Sequence, residues 1–437
     1  MSAQAGNLAM IGQLIRGPGA GERTGVRGSL RLVNAAWLTI IASIGLSLLS
    51  VYAIDVAETV RPEGVADLAP TAWKQAVFAI VGMLAATVVA LPHYRIISVF
   101  SWPLMGAMIA LLVFLLVPFV PASIVTPRNG TRAWIDLGPA DFQPSEITKI
   151  AFVLVVAQYL RYRTKHRQFT GLIVPGLIAA VPLGLITLQP DLGTAMLFVP
   201  ALFAMLIAAG AKLRHLSIIV VCAALAAPAA YPFLKPHQKT RIVAMLKAIE
   251  GDTTTAQDIN YQAYTAQRLI GAGQFDGSPA PAARALVYYN RLPERHNDMV
   301  YAVIVARFGL WGGLGVIALY LVWIGGALLV AASCKEPIGR LIAVGIPAFI
   351  AAQMVINVGM NLGLVPIIGI TLPFVSYGGS SLLASWLMAG LIANVALHKP
   401  RPPFRQSFEY PEDDERPRLG SGKYGRAVGF SGRAITR

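Results

Sequence analysis

MVYAVIVARFGLWGGLGVIALYLVWIGGALLVA, residues 299–331, carries a single charge, Arg307. A helix of about 20 apolar residues crosses the hydrocarbon core of a bilayer. The stretch therefore predicts a membrane-spanning helix with length to spare. It is entered abruptly from RLPERHND (291–298), a charged segment that ends on Asp298.

Working outward, similar apolar stretches recur along the chain. Of its 437 residues, 56% are hydrophobic and 13% charged, against about 25% charged in a soluble domain. Ten spans are expected: 33–54, 73–91, 99–120, 146–160, 171–188, 193–210, 215–234, 299–331, 339–363 and 374–397. A β-barrel would show short alternating segments instead. The fold class is thus an all-α integral membrane protein of about ten transmembrane helices, spanning 33–397, with a large extracytoplasmic loop, 235–297, between spans seven and eight. Residues 1–32 and 398–437 read as cytoplasmic tails. The first is polar and Gly-rich, without the short apolar core of a signal peptide. The second, with the acidic run Glu412–Glu415, has a disordered composition.

The formal charge is +15. Much of it flanks spans, which is what orientation demands and argues against a nucleic-acid partner. Basic connections at 161–168, 211–215 and 333–340 are expected on the cytoplasmic side, and the acidic loop 55–72 outside. The 235–297 loop breaks that pattern. It holds Lys235, Lys239, Arg241, Lys247, Arg268, Arg284, Arg291 and Arg295. Long loops escape the charge rule, so it reads equally as a solvated loop or as a surface for an anion. Cys222 and Cys334 form no CxxC pair, so neither a metal site nor a structural disulfide is expected.

Four constellations could carry chemistry. Glu146 and Lys149, three residues apart at the start of a span that follows the Asn129-Gly130 turn, share a helix face. The pair is a cap with a structural ion pair, or a functional site inside the membrane edge. Asp191, in LQPDLGTA (188–195), is a turn or N-cap residue, or a site acid. Asp298 either caps the helix it precedes or is a partly desolvated carboxylate able to act as a general base. Arg295 and His296 beside it would oppose the rise in pKa that such a role needs. In 357–395, GLVPIIGITLP and SYGGSS break the apolar run. Irregular backbone at membrane depth has to be buried in protein or line a wet cavity. SYGGSS offers hydroxyls and N–H groups to an anion or sugar, or forms a small-residue seam between helices.

LPFVSYGGSS (372–381), preceded by NVGMNLGLVPIIGI (357–370), resembles the signature of the SEDS proteins (shape, elongation, division and sporulation), the RodA/FtsW/SpoVE group. The resemblance extends to NGTRAW (129–134), QPSEITK (143–149), LQPDLGTA, YQAYTAQRLIGAGQFDG (261–277) and LPERHND (292–298), in the right order over roughly 33–397. It implies a peptidoglycan glycosyltransferase of the bacterial cytoplasmic (inner) membrane, both termini cytoplasmic. Such an enzyme polymerises lipid II at the outer face in elongation or division, beside a class B penicillin-binding protein.

The resemblance makes Asp298 the catalytic carboxylate, deprotonating the acceptor sugar's 4-hydroxyl. It puts Arg132, Trp134, Gln143, Ser145, Glu146, Lys149, Asp191, Ser376, Tyr377, Gly378, Gly379 and Ser380 on the substrate side. A lipid II flippase and a non-catalytic scaffold are the competing readings. No metal ligands stand out. The cofactor is left open, with a divalent cation, Mg²⁺ or Mn²⁺, suited to the leaving pyrophosphate. Two departures from the family's pattern stand out. Its paired glutamates are Ala306 and Arg307 here, and one basic residue is missing from its GARRW, which reads Gly130-Thr131-Arg132-Ala133-Trp134.

Overall fold

The computed structural model describes residues 35–58, 68–121, 123–125, 127, 131–138, 140–161, 168–233, 239, 243 and 261–398. The expected tails (1–32 and all but His398 of 398–437), Asn129-Gly130, and Lys235, Arg241 and Lys247 of the long loop lie outside the described residues.

Apolar helices stand at all ten expected places. They are α1 (Ala36–Glu58), α2 (Pro70–Ala90), α4 (Ser101–Leu116), α5 (Pro144–Leu160), α6 (Ile173–Leu188), α8 (Phe198–Ala209), α9 (Leu213–Ala230), α12 (Val300–Ser333), α13 (Pro337–Asn361) and α14 (Gly379–Leu397). Among the described residues, seven helical segments are long and apolar enough to cross a membrane by length and composition. Three details depart from the expected spans. A separate short helix, α3 (Tyr94–Val99), precedes α4. The sixth span is split, with α7 (Leu192–Met196) ahead of α8. The tenth starts at Gly379, because 374–378 is not helical. The loop before α5 also holds a small antiparallel hairpin, β1 (Ile135–Asp136) with β2 (Asp141–Phe142), that an all-α reading does not anticipate.

Helices α5, α12, α13 and α14 form the centre, with α1 and α2 against α12 and α14. Close approach needs small residues where no solvent drives association. Gly390 is one: a Cβ there would come within 2.5 Å of the Ala86 carbonyl, so α14 lies directly on α2. The described part of the long loop adds two helices, α10 (Tyr261–Gly273) and α11 (Ala280–Tyr289).

The eighth span is not one straight helix. Gly309 has φ +68° and ψ −163° inside α12. At that break Leu310 N–H donates to Gln274 O (2.8 Å), so the end of α10 fills the gap in the helix's own bonding. Only glycine adopts this φ cheaply, and a Cβ would strike Phe275 O at 2.2 Å.

At the end of the bundle away from Asp298, Glu336 ties three connections together. Arg95 (2.9 Å) and Arg161 (3.4 Å) pair with it, and the Tyr94 hydroxyl donates to it (2.5 Å). Burial alone would push this carboxyl up. The bonds from Arg95 and Tyr94 and the charges of both arginines outweigh it and hold the pKa below the usual value. A depressed carboxylate pKa contributes stability above its unfolded value and loses it as pH falls through the folded one. Glu336→Gln is therefore expected to lower the unfolding temperature at pH 7 and to lose that difference below about pH 4. Melting curves of both proteins from pH 7 to pH 3 check this.

Candidate functional site

The site lies where the non-helical backbone of 362–378 meets the start of α12. Asp298 is 5% exposed. It does not cap α12: the N-cap is Met299, without a side-chain cap bond. Its Oδ1 accepts a 3.4 Å bond from Gln262 of α10. Its main-chain carbonyl accepts from Asn357 (2.8 Å) and Asn361 (3.0 Å), both on α13.

The residues before it are clipped to the glycine-rich segment. Tyr377 N–H donates to His296 O (2.8 Å), and Ser376 Oγ donates to Asn297 O (2.5 Å). The segment is held in turn from α1 and α2. Gln75 donates to Ser376 O (3.1 Å) and to Ser50 Oγ (2.9 Å), and Ser50 donates to Val375 O (2.6 Å). Gly378 N–H reaches Gln75 Oε1 at 3.4 Å. The N–H groups of Tyr377 and Gly378 are thus engaged within the chain. Gly379 opens α14.

Burial pushes the His296 imidazole down to about 4, with the charge of Arg295 acting the same way. It is neutral at pH 7 and supplies no positive charge beside Asp298. Arg295 points elsewhere, to Glu58 O (3.4 Å). Arg284 is 2.6 Å from Asp55 at the end of α1, so two cations of the basic loop serve the fold.

The second half of the site is at the start of α5. Gln143 is the N-cap position and Pro144 opens the helix. Lys149, 1% exposed, pairs with Glu146 at 2.8 Å and donates to Gln353 (3.3 Å). A buried ion pair of this kind holds only with such extra bonds. Asp191 caps α7, accepting from Thr194 N–H (3.0 Å). Burial raises its pKa, the bonds from Thr194 oppose this, and it feels the charges of Glu146 and Lys149. So its capping role holds, and it sits near the buried pair as well. Ser380 stitches the halves together, donating to Asp141 O (2.5 Å) and accepting from Gln143 N–H (3.0 Å).

Ser145 Oγ is buried without a hydrogen-bond partner. Arg132 turns back to Val120 O (3.0 Å) and Pro118 O (3.4 Å). Trp134, half-buried, leads into β1. Among the described residues no group of three or more His, Cys, Asp or Glu side chains is placed to hold a metal. Cys222 and Cys334 are free thiols.

Sequence reasoning missed Asn357, Asn361, Gln353 and Gln262. A signal was available for the first three. They are amides four residues apart in an apolar helix, where each buried polar group needs a partner. Gln262 had none, because its contact with Asp298 depends on how the loop folds back.

Arg307 finds its partners in the same region. Nε donates to the Tyr52 hydroxyl (2.8 Å) and Nη1 to Ser278 O (3.0 Å). The guanidinium also lies 4.8 Å from the Phe308 ring. Charge-assisted bonds of this kind contribute about 1.5–3 kcal/mol. Arg307→Ala is expected to lower the unfolding temperature, and Arg307→Lys to restore little, since an ammonium cannot serve both acceptors from a rigid fork. Melting curves of the three proteins decide it.

Comparison with known proteins identifies the family of the chain. The FtsW/RodA/SpoVE family model, described as "Cell cycle protein", matches residues 34–401. A probable peptidoglycan glycosyltransferase FtsW of Thioalkalivibrio sulfidiphilus is 31% identical over 384 residues, 86% of this chain and 92% of that protein. Stage V sporulation protein E of Bacillus subtilis is 32% identical, over 74% and 82%. Peptidoglycan glycosyltransferase MrdB of Escherichia coli K12 is 33% identical, over 62% and 72%. Among solved structures, one from a study of a peptidoglycan synthase complex that coordinates polymerization and crosslinking matches with TM-score 0.67 and 28% identity, covering 82% of this chain and 97% of that one. The Thermus thermophilus rod shape determining protein RodA matches with TM-score 0.59 and 25% identity, over 84% and 98%.

Proposed function

Because the chain belongs to the FtsW/RodA/SpoVE family of multi-pass membrane proteins, we infer that it is a peptidoglycan glycosyltransferase acting in cell elongation or division. Its substrate is lipid II, polymerised at the outer face of the cytoplasmic membrane. Both termini are then cytoplasmic, and the partner is a class B penicillin-binding protein that cross-links the product.

The observation that carries this reading is the placement of Asp298. A buried carboxylate, spared from capping, is held from its backbone at the edge of the apolar bundle. A sugar anchored by a lipid arrives at that level. Asp298 takes the proton of the acceptor's 4-hydroxyl as that oxygen bonds to the donor's anomeric carbon. The bond from that carbon to the phosphate oxygen breaks, and polyprenyl pyrophosphate leaves with the electron pair. Negative charge grows on the leaving group. Lys149, fixed by Glu146 and Gln353, is the preorganised cation suited to it. Ser145, with its unused hydroxyl, and Asp191, Arg132, Trp134, Gln143 and Ser376–Ser380 line the substrate side.

Purified protein in detergent, given lipid II with and without a class B penicillin-binding protein, is expected to yield long glycan chains on a gel. Folded protein that forms no polymer with its partner present would overturn the reading.

A further inference from the structure

Helix α13 carries three buried amides, Gln353, Asn357 and Asn361. They are four residues apart, so they stack on one helix face. A buried amide that lacks a partner costs free energy, and all three are bonded: Asn361 to Asn357 directly, and Asn357 and Gln353 to the adjacent carbonyls of Ile370 and Thr371. Gln353 accepts from Lys149 Nζ (3.3 Å) and donates to Thr371 O (3.4 Å). Asn357 donates to Ile370 O (2.7 Å) and Asp298 O (2.8 Å). Asn361 donates to Asp298 O (3.0 Å) and Asn357 O (2.9 Å). One end of this helix face holds the buried cation and the other the backbone of the buried acid, with the Ile370–Thr371 backbone between them.

The Asn361 end has a specific geometry. In an unbroken α-helix the N–H of residue 302 would donate to the carbonyl of residue 298. Here Ala302 N–H donates to Met299 O (3.2 Å) and to Asn361 Oδ1 (3.2 Å), while Asp298 O takes Asn361 Nδ2. The amide is inserted into the missing turn and replaces both halves of its bond. Residue 298 is thereby held outside the helix, in a backbone state set by α13 and not by α12.

We propose that Gln353, Asn357 and Asn361 are positioning residues that fix Asp298 and Lys149 relative to one another, so that base and cation address the same glycosyl transfer. This rests on the reading of Asp298 as the base. The amides touch the acid's backbone and the lysine's ammonium, and act through those two residues. Small misplacements of a catalytic group are costly, on the order of 100-fold for about 1 Å.

The test is the steady-state kinetics of lipid II polymerisation by full-length protein with its class B partner. Wild type, Asn361→Leu, Asn357→Ala and Asp298→Ala are compared, with melting curves for each. Asn361→Leu and Asn357→Ala are expected to lower kcat by about 10- to 100-fold with KM changed less than about twofold, the pattern of an effect on the transition state alone. If Asn361→Leu does not fold, Asn357→Ala, which leaves the inserted amide in place, carries the test. A kcat within about twofold of wild type in the folded variants, or a raised KM with kcat unchanged, would overturn the proposal. The fourth protein separates two failures. Polymer from Asp298→Ala defeats the base assignment and the ladder with it. A silent Asp298→Ala beside unimpaired asparagine variants defeats the ladder alone.

Discussion

Replacing Asp298 with alanine is expected to cut glycan polymerisation from lipid II by about 100- to 10,000-fold, the range a general base contributes, with the melting curve close to wild type. The bonds that its main-chain carbonyl accepts from Asn357 and Asn361 are left intact by the substitution, which removes the longer side-chain bond from Gln262. Helix α12 begins without the side chain as a cap, so the substitution removes no capping bond. Loss of activity without loss of stability is the signature of a catalytic group. A folded Asp298→Ala that polymerised at the wild-type rate would remove Asp298 from the mechanism. A variant that melted far below wild type would make the residue structural.

Lys149→Met is expected to have the second large effect, on stability and activity together. The lysine is buried against Glu146 at 2.8 Å. Removing one partner of such a pair strands the other and costs about 3–5 kcal/mol. Glu146→Gln with Lys149→Met removes both charges, so the double variant is expected to regain much of the lost unfolding temperature. Polymerisation should not return with it, because the leaving pyrophosphate still lacks its cation. Melting curves and gel assays on the single and double variants separate the roles. Recovery of both would mean that Lys149 serves the fold alone.

The bundle was legible because its signal is long and physical. Ten apolar runs predict helices that the structure places within a few residues. The Glu146–Lys149 spacing predicts a pair on one face, and the pair forms. What sequence alone did not reveal depends on contacts between distant segments. Gly309 reads as an ordinary glycine in an apolar run, yet it breaks α12 because α10 docks there. Asp298 looks like a helix cap, since an Asp ahead of an apolar run usually is one. Only the fold shows Asn361 taking over the first turn. The basic outer loop reads equally as a solvated loop or an anion surface, and the fold turns Arg284 and Arg295 onto α1. The serines and N–H groups of SYGGSS look open, and the fold engages several of them in holding residues 296–298 and the start of α5.

The role of Asp298 as base is decided by a structure of the protein trapped with lipid II. The acceptor's 4-hydroxyl is expected at about 2.6–3.2 Å from an Asp298 carboxylate oxygen, with the donor's pyrophosphate on the Lys149 side of the site. A productive complex with the 4-hydroxyl out of reach of Asp298, and another side chain in its place, would contradict it.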